Sequence, residues 1–185
     1  KIKLMDELGS PDCNVKFNGI MTSPRNLKYM YAATLIKENF GDIKTVVEIG
    51  SCYGGLCYTM GNIFQLTGYK LIDIECVVSL ARLFLSKLPP TFNIEPELFF
   101  NPQPPYDICI SECALSELDW ASIVFYYKEY LSKSKYLFLR TNFHKTNELN
   151  ALIKMAEKDF SVKMISDYHP DFPEKTTLLG WYKSL

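Results

Sequence analysis

The chain has 185 residues, 48% of them hydrophobic, which is enough for one ordinary domain with a buried core. Its formal net charge is −1 and it holds no run of five or more basic residues, which argues against a nucleic-acid or anionic-membrane partner. No apolar stretch reaches the ~18 residues of a transmembrane helix, and no signal peptide is evident.

Residues 1–19 carry no strong period and read as an irregular lead-in. Ser23-Pro24 then opens a helix, with Ser as N-cap and Pro at the first helical position; it runs to about Phe40 and stops at Gly41. From there the pattern alternates. Residues 45–49 (TVVEI) form a short β-branched strand of the buried parallel type, 50–55 a glycine turn, 56–66 a helix and 69–74 (YKLIDI) a second strand. A helix over 76–88 is stopped by Pro89-Pro90, 91–95 is a third strand, and 96–105 is a proline-containing loop. Residues 107–111 (DICIS) are a fourth strand, 118–131 a helix, 136–140 (YLFLR) a fifth strand, and 148–158 a helix capped by Asn147. Strands over 161–166 and 177–182 close the chain, and the ten-residue loop between them suggests an antiparallel edge hairpin.

This alternation predicts an α/β fold: a mostly parallel, seven-stranded Rossmann-like sheet with an antiparallel edge hairpin and helices on both faces. No linker or repeat divides the chain. It reads as a single domain, with residues 1–41 as N-terminal segment and helix and 42–185 as the core. In open sheets of this kind ligands sit beyond the carboxyl ends of the strands, so function is expected just after Ile49, Ile74, Ile110 and Leu139. The six cysteines follow no disulfide-framework spacing, and Cys52, Cys57, Cys76 and Cys109 lie in or beside apolar stretches that read as core. That usage points to a reducing, cytoplasmic compartment. The sequence carries no signal for an oligomeric state.

The strongest chemical motif is V-V-E-I-G-S-C-Y-G-G at 46–55. Gly50 and Gly55 match the first and third positions of the dinucleotide fingerprint G-x-G-x-x-G, but Cys52 replaces the second, where the backbone must approach a pyrophosphate. That argues against NAD or FAD and is tolerable for a ligand lacking phosphate, such as S-adenosylmethionine. Glu48 also discourages a phosphate nearby and is placed to hold an amino or cationic group, directly or through water. Asp73 closes the second strand 19 residues after Gly54, close to the ~20 expected of a carboxylate that accepts from ribose hydroxyls. A tight strand–helix turn and a surface acid are the plain alternatives.

The segment D-I-C-I-S-E-C-A-L-S-E-L at 107–118 runs a buried strand into Ser111, Glu112, Ser116 and Glu117. Ser111 or Glu112 would line the cofactor's methionine end. Glu117 would face the acceptor, unless Ser116-Glu117 is an ordinary helix N-terminus. Arg140-Thr141-Asn142-Phe143-His144 leaves the fifth strand as a polar cluster, and His144 is a candidate general base. His169 is its rival, and each histidine also reads as a solvated loop residue. Tyr53, Tyr58 and Phe143 offer ring faces to a sulfonium or sugar, though such rings are more often core. Cys52, Cys57, Cys109 and Cys113 lack paired C-x-x-C spacing, so no metal site is assigned.

Together, V-V-E-I-G-S-C-Y-G-G, Y-K-L-I-D-I and D-I-C-I-S-E-C-A-L-S-E-L resemble the sugar O-methyltransferases of the class I S-adenosylmethionine-dependent methyltransferase superfamily, over roughly residues 19–142. The resemblance implies that Glu48, Gly50 and Gly54 form the cofactor turn, with Ser51 and Cys52 in it. Asp73 would hold the ribose with Ile74 beside it, Glu97 and Leu98 would meet the adenine, and Ser111 would lie near the methionine moiety. The implied reaction is methyl transfer to the hydroxyl of a small-molecule or glycan acceptor, with His144, Glu117 or His169 as base. Cys52 departs from the family's commoner glycine, and no acidic motif for catalytic magnesium is evident. Three other readings stay open: a methyltransferase for a non-sugar acceptor, a nicotinamide-dependent oxidoreductase (weakened by Cys52 and the lack of a Tyr-x-x-x-Lys pair), and a non-catalytic binding module.

Overall fold

The structure, a computed structural model, describes residues 2–90, 99–142, 146–166 and 176–183. In chain order the elements are α1 (Ile2–Gly9), β1 (Val15–Phe17), β2 (Ile20–Thr22), α2 (Pro24–Phe40), β3 (Thr45–Ile49), α3 (Gly55–Ile63), β4 (Gly68–Ile72) and α4 (Glu75–Ser86). Then follow β5 (Tyr106–Glu112), a 3₁₀ turn at Ala114–Glu117, α5 (Trp120–Glu129), β6 (Ser134–Thr141), α6 (Thr146–Ala156), β7 (Phe160–Ser166) and β8 (Thr176–Tyr182).

Six strands form the main sheet in the order β4-β3-β5-β6-β8-β7. The first four are parallel, while β8 lies antiparallel to both β6 and β7. The expected third strand, 91–95, lies outside the described residues. Because β4 and β5 flank β3 on opposite sides, the chain reverses its direction of travel across the sheet at β3, and a crevice opens there at the strands' carboxyl ends.

Strand alternation divides the core into two layers. Val46, Ile108, Ile110 and Phe138 pack with Ala32, Ile36 and Phe40 of α2 and Leu56 and Met60 of α3. Val47, Cys109, Leu137 and Leu139 pack with Ile123 and Tyr127 of α5 and Leu152 and Ala156 of α6. Leu178 and Leu179, adjacent on β8, enter opposite layers.

Several expectations are corrected. Residues 1–19 are not irregular: α1 buries Met5 against Tyr58 and Leu88, and Asp6 accepts hydrogen bonds from the Thr22 hydroxyl (2.7 Å) and the Ser23 N–H (3.0 Å). Burial alone would raise the Asp6 pKa, but these bonds outweigh it and hold the group below its ordinary value. An eight-residue helix has too little intrinsic stability to announce itself, and tertiary contacts supply it. The helix after β5 starts at Trp120 rather than 118, because Asp119 is its N-cap and accepts from the Ser122 N–H at 2.8 Å. Ser116-Glu117 therefore belongs to a 3₁₀ turn and not to a helix N-terminus. Helix α6 starts at Thr146, so Asn147 lies inside it. Cys57 and Cys109 are buried, but Cys52 and Cys76 are exposed, one in a loop at the sheet edge and one on the outer side of α4.

Candidate functional site

Three residues in the left-handed region bend the chain as it leaves β3: Gly50 (φ 82°), Cys52 (φ 47°) and Gly54 (φ 85°). Gly50 is required twice over. Its φ disfavours a side chain, and a Cβ there would stand 2.2 Å from Cβ of Ala114. Gly55 lets Tyr29 approach; a Cβ would lie 2.4 Å from that ring's Cε2. Cys52 carries a side chain in a conformation that usually selects glycine, at a cost of about 1–2 kcal/mol. The loop is fastened at both ends, by the Gly50 N–H on the Ile72 carbonyl (2.8 Å) and the Gly54 N–H on the Ser51 carbonyl (3.0 Å).

Asp73 sits just past β4, whose last residue is Ile72. One carboxylate oxygen accepts from the Cys52 N–H at 3.1 Å and the other from the Ile74 N–H at 2.9 Å. The glycine loop and the acid thus touch. A carboxylate offers about four acceptor positions, so two protein donors leave about two for a ligand. Ile74, beside it, is 66% exposed, an unusual place for a large aliphatic side chain. Ser51 is 2% exposed, and its Oγ has no hydrogen-bond partner among the described residues. A buried hydroxyl in that state costs about 1–3 kcal/mol unless a ligand or water meets it.

Glu48 lies on the α2/α3 side of β3, 2% exposed, and accepts from the Tyr69 hydroxyl at 2.8 Å. Burial pushes its pKa up to about 8; the Tyr69 hydrogen bond opposes this, and the charges of Glu112 and Asp73 add to it. Tyr69 was not singled out in the sequence. Register brings it there, since Tyr69 lies opposite Val46 and two strand positions from Glu48's partner Leu71. Arg25, in the first turn of α2, was also missed. Its pKa is raised by a hydrogen bond with Tyr29 and by the nearness of Cys52 and Tyr53, which places a cation at the loop.

At the end of β5, Ser111 is fully buried and its Oγ accepts from the Leu115 N–H at 3.2 Å, so it braces the turn that packs on Gly50. Glu112 does not stand free. Both its oxygens accept from Nη1 of Arg140 at 2.9 Å, in a largely buried ion pair, and the Arg140 guanidinium lies 5.5 Å from the Tyr31 ring centre. The Ser116 hydroxyl meets the Cys113 carbonyl and the Asn142 side chain, and accepts from the Asn142 N–H. Glu117 is exposed at this rim. Tyr58 is 2% exposed under α1, and half-buried Tyr53 makes edge contacts with Tyr29 and Phe84. His144, His169, Phe143, Glu97 and Leu98 lie outside the described residues. Among the described residues no group of three or more His, Cys, Asp or Glu side chains is positioned to hold a metal, and no helix is long and apolar enough to cross a membrane.

No protein-family model matches the chain, and no curated protein matches it in sequence. Solved structures do match it in shape. The methyltransferase domain of bacterial CtHen1-C has a TM-score of 0.65 at 16% identity, over 86% of this chain and 99% of that one. The N-methyltransferase NodS from Bradyrhizobium japonicum, in complex with S-adenosyl-L-homocysteine, has a TM-score of 0.65 at 11% identity, over 98% and 97%. An O-methyltransferase from Bacillus cereus, also with S-adenosylhomocysteine, gives 0.64 at 10%, over 98% and 91%. The fold is the Rossmann-like methyltransferase fold. With that fold assigned, the loop of 50–54 and Asp73 occupy the carboxyl-end crevice where such sheets take their ligands.

Proposed function

We propose that the chain is an S-adenosylmethionine-dependent O-methyltransferase acting on a hydroxyl of a sugar. The observation that carries this reading is the contact between Asp73 and the Cys52 N–H, which joins the glycine loop and the second-strand acid into one cradle. In that cradle the free lone pairs of Asp73 take the ribose hydroxyls, and exposed Ile74 covers a face of the adenine. The unpartnered Ser51 hydroxyl and buried Glu48 serve the methionine amino end, and Arg25 serves its carboxylate. Gly50, Cys52 and Gly54 give the loop its path, and Ser111 holds the neighbouring turn against Gly50.

S-adenosylmethionine, when bound, supplies a methyl group on a sulfonium, an electrophile ready for in-line attack. The chain's part is to align the acceptor oxygen and remove its proton, and general-base help of this kind contributes typically ~10²–10⁴-fold. His144 is the first candidate base, then Glu117, then His169. The Ser116–Asn142 pair gives the rim beside Glu117 a fixed polar lining suited to hydroxyl-bearing acceptors. The net charge of −1 favours a neutral glycan or small molecule over a nucleic acid. The free thiols fit a reducing cytoplasm.

Calorimetric titration with S-adenosylhomocysteine tests the cofactor half of the reading. Wild type binds it, and Asp73→Ala binds more weakly by about 1–3 kcal/mol. No binding by wild type refutes it. Methyl transfer to free sugars and nucleotide sugars, but not to peptides or RNA, tests the acceptor half. His144→Ala is expected to slow turnover while leaving S-adenosylhomocysteine affinity intact.

A further inference from the structure

Helices α5 and α6 lie side by side on the sheet face opposite Glu48 and leave a surface groove of about 560 Å³ between them. One face of each helix lines it. Trp120 and Val124 from α5 and Met155 from α6 make an apolar floor, and Lys128, Lys154 and Lys158 stand along it. Trp120 is 42% exposed, unusual for the largest apolar side chain. None of the three lysines makes an ion pair among the described residues. Lys154 lies in the last turn of α6 and Lys158 in the turn that follows it, and Trp120 to Lys128 along α5 spans roughly 12 Å. The groove therefore accepts about two turns of helix.

We infer that this groove docks an acidic amphipathic helix from a partner protein. An apolar stripe would seat on Trp120, Val124 and Met155, while flanking carboxylates meet the lysines, the helix-in-groove mode of recognition. Charge complementarity selects this occupant, because three lysines without an ion pair among the described residues, beside an apolar floor, call for an anion with an apolar body. An anionic bilayer fits less well. The chain's net charge is −1, and exposed Glu148 on α6 and exposed Glu157 just past its end would oppose it. The site is separate from the crevice at β3, so it stands or falls independently of the proposed methyl transfer.

The test uses the full chain with Trp181→Phe, which leaves Trp120 as the single tryptophan. Two fluorescein-labelled 14-residue probes carry leucine and isoleucine, and no tryptophan, at helical spacing, one flanked by glutamates and one by lysines. The acidic probe is expected to bind by anisotropy, to shift Trp120 emission, and to weaken as salt rises and the Debye length shrinks from ~10 Å at 0.1 M to ~3 Å at 1 M. Combined Lys128→Glu, Lys154→Glu and Lys158→Glu substitutions should weaken the acidic probe about tenfold or more and give binding of the lysine probe, with far-UV circular dichroism unchanged. Equal binding of both probes, or no binding of either, overturns the inference. So does retention by phosphatidylserine vesicles without peptide binding. A dimer abolished by the same substitutions, with no peptide bound, overturns it in favour of a second copy.

Discussion

Glu48 offers the sharpest test of the physical account. It is 2% exposed, and burial raises its pKa from 4.5 to about 8. Between those values the folded protein keeps a proton that the unfolded chain releases, so the unfolded state binds fewer protons and stability falls as pH rises. The contribution is fully present below about pH 4.5 and gone above about pH 8. At 1.36 kcal/mol per pKa unit the whole swing is at most about 5 kcal/mol. Glu48→Gln keeps the shape and an acceptor for the Tyr69 hydroxyl but does not titrate. Urea unfolding of both proteins at pH 5, 6, 7, 8 and 9 should give nearly equal stabilities at pH 5. The Gln variant should be ahead by several kcal/mol at pH 9. Parallel curves would show that Glu48 is charged in the folded protein at neutral pH and refute the reasoning. If a cationic amino group settles beside Glu48, binding S-adenosylhomocysteine at pH 7 should also release a proton, read as a dependence of calorimetric heat on buffer ionisation enthalpy.

Tyr69→Phe removes the hydroxyl that donates to Glu48; it should cost about 1–3 kcal/mol by chemical denaturation and move the Glu48 titration upward, since that bond is what lowers it. Gly50→Ala places a methyl against Ala114 at a φ of 82°, so a loss of about 2–4 kcal/mol is expected in urea, and a variant as stable as wild type would contradict the close approach. Cys52→Gly relieves a left-handed residue but loosens the unfolded chain, so its stability should stay within about 1 kcal/mol of wild type. Cys52→Val, β-branched at the same φ, should lose more than that in the same assay.

What the sequence disclosed follows from how locally each feature is encoded. The buried strands declared themselves because a short run dominated by apolar and β-branched residues, as at Thr45–Ile49 where only Glu48 is neither, needs no partner to be recognised. Gly50 and Asp73 were legible because a sharp exit and a carboxylate about twenty residues later form a pattern in one dimension. The Glu48–Tyr69 bond was not, since it depends on the register of β3 against β4. The Glu112–Arg140 pair likewise needs the parallel pairing of β5 with β6. Ser116 and Asp119 are equally good caps in sequence, but in the fold the Ser116 hydroxyl is engaged by the Cys113 carbonyl and the Asn142 N–H, and Asp119 caps the helix. Cys52 and Cys76 have apolar neighbours, but a loop position and an outward helix face leave them accessible, which chain context alone does not reveal.

The position of β8 has a consequence for how the protein is made. This strand enters between β6 and β7, and its Leu178 and Leu179 plug opposite sides of the sheet. While the ribosome is still adding residues before 176, β6 has an open edge and neither layer is sealed. Unfinished chains therefore expose a ready pairing template, and crowded synthesis is when this protein is most prone to clump. Docking of the β7–β8 hairpin is the event that ends the hazard.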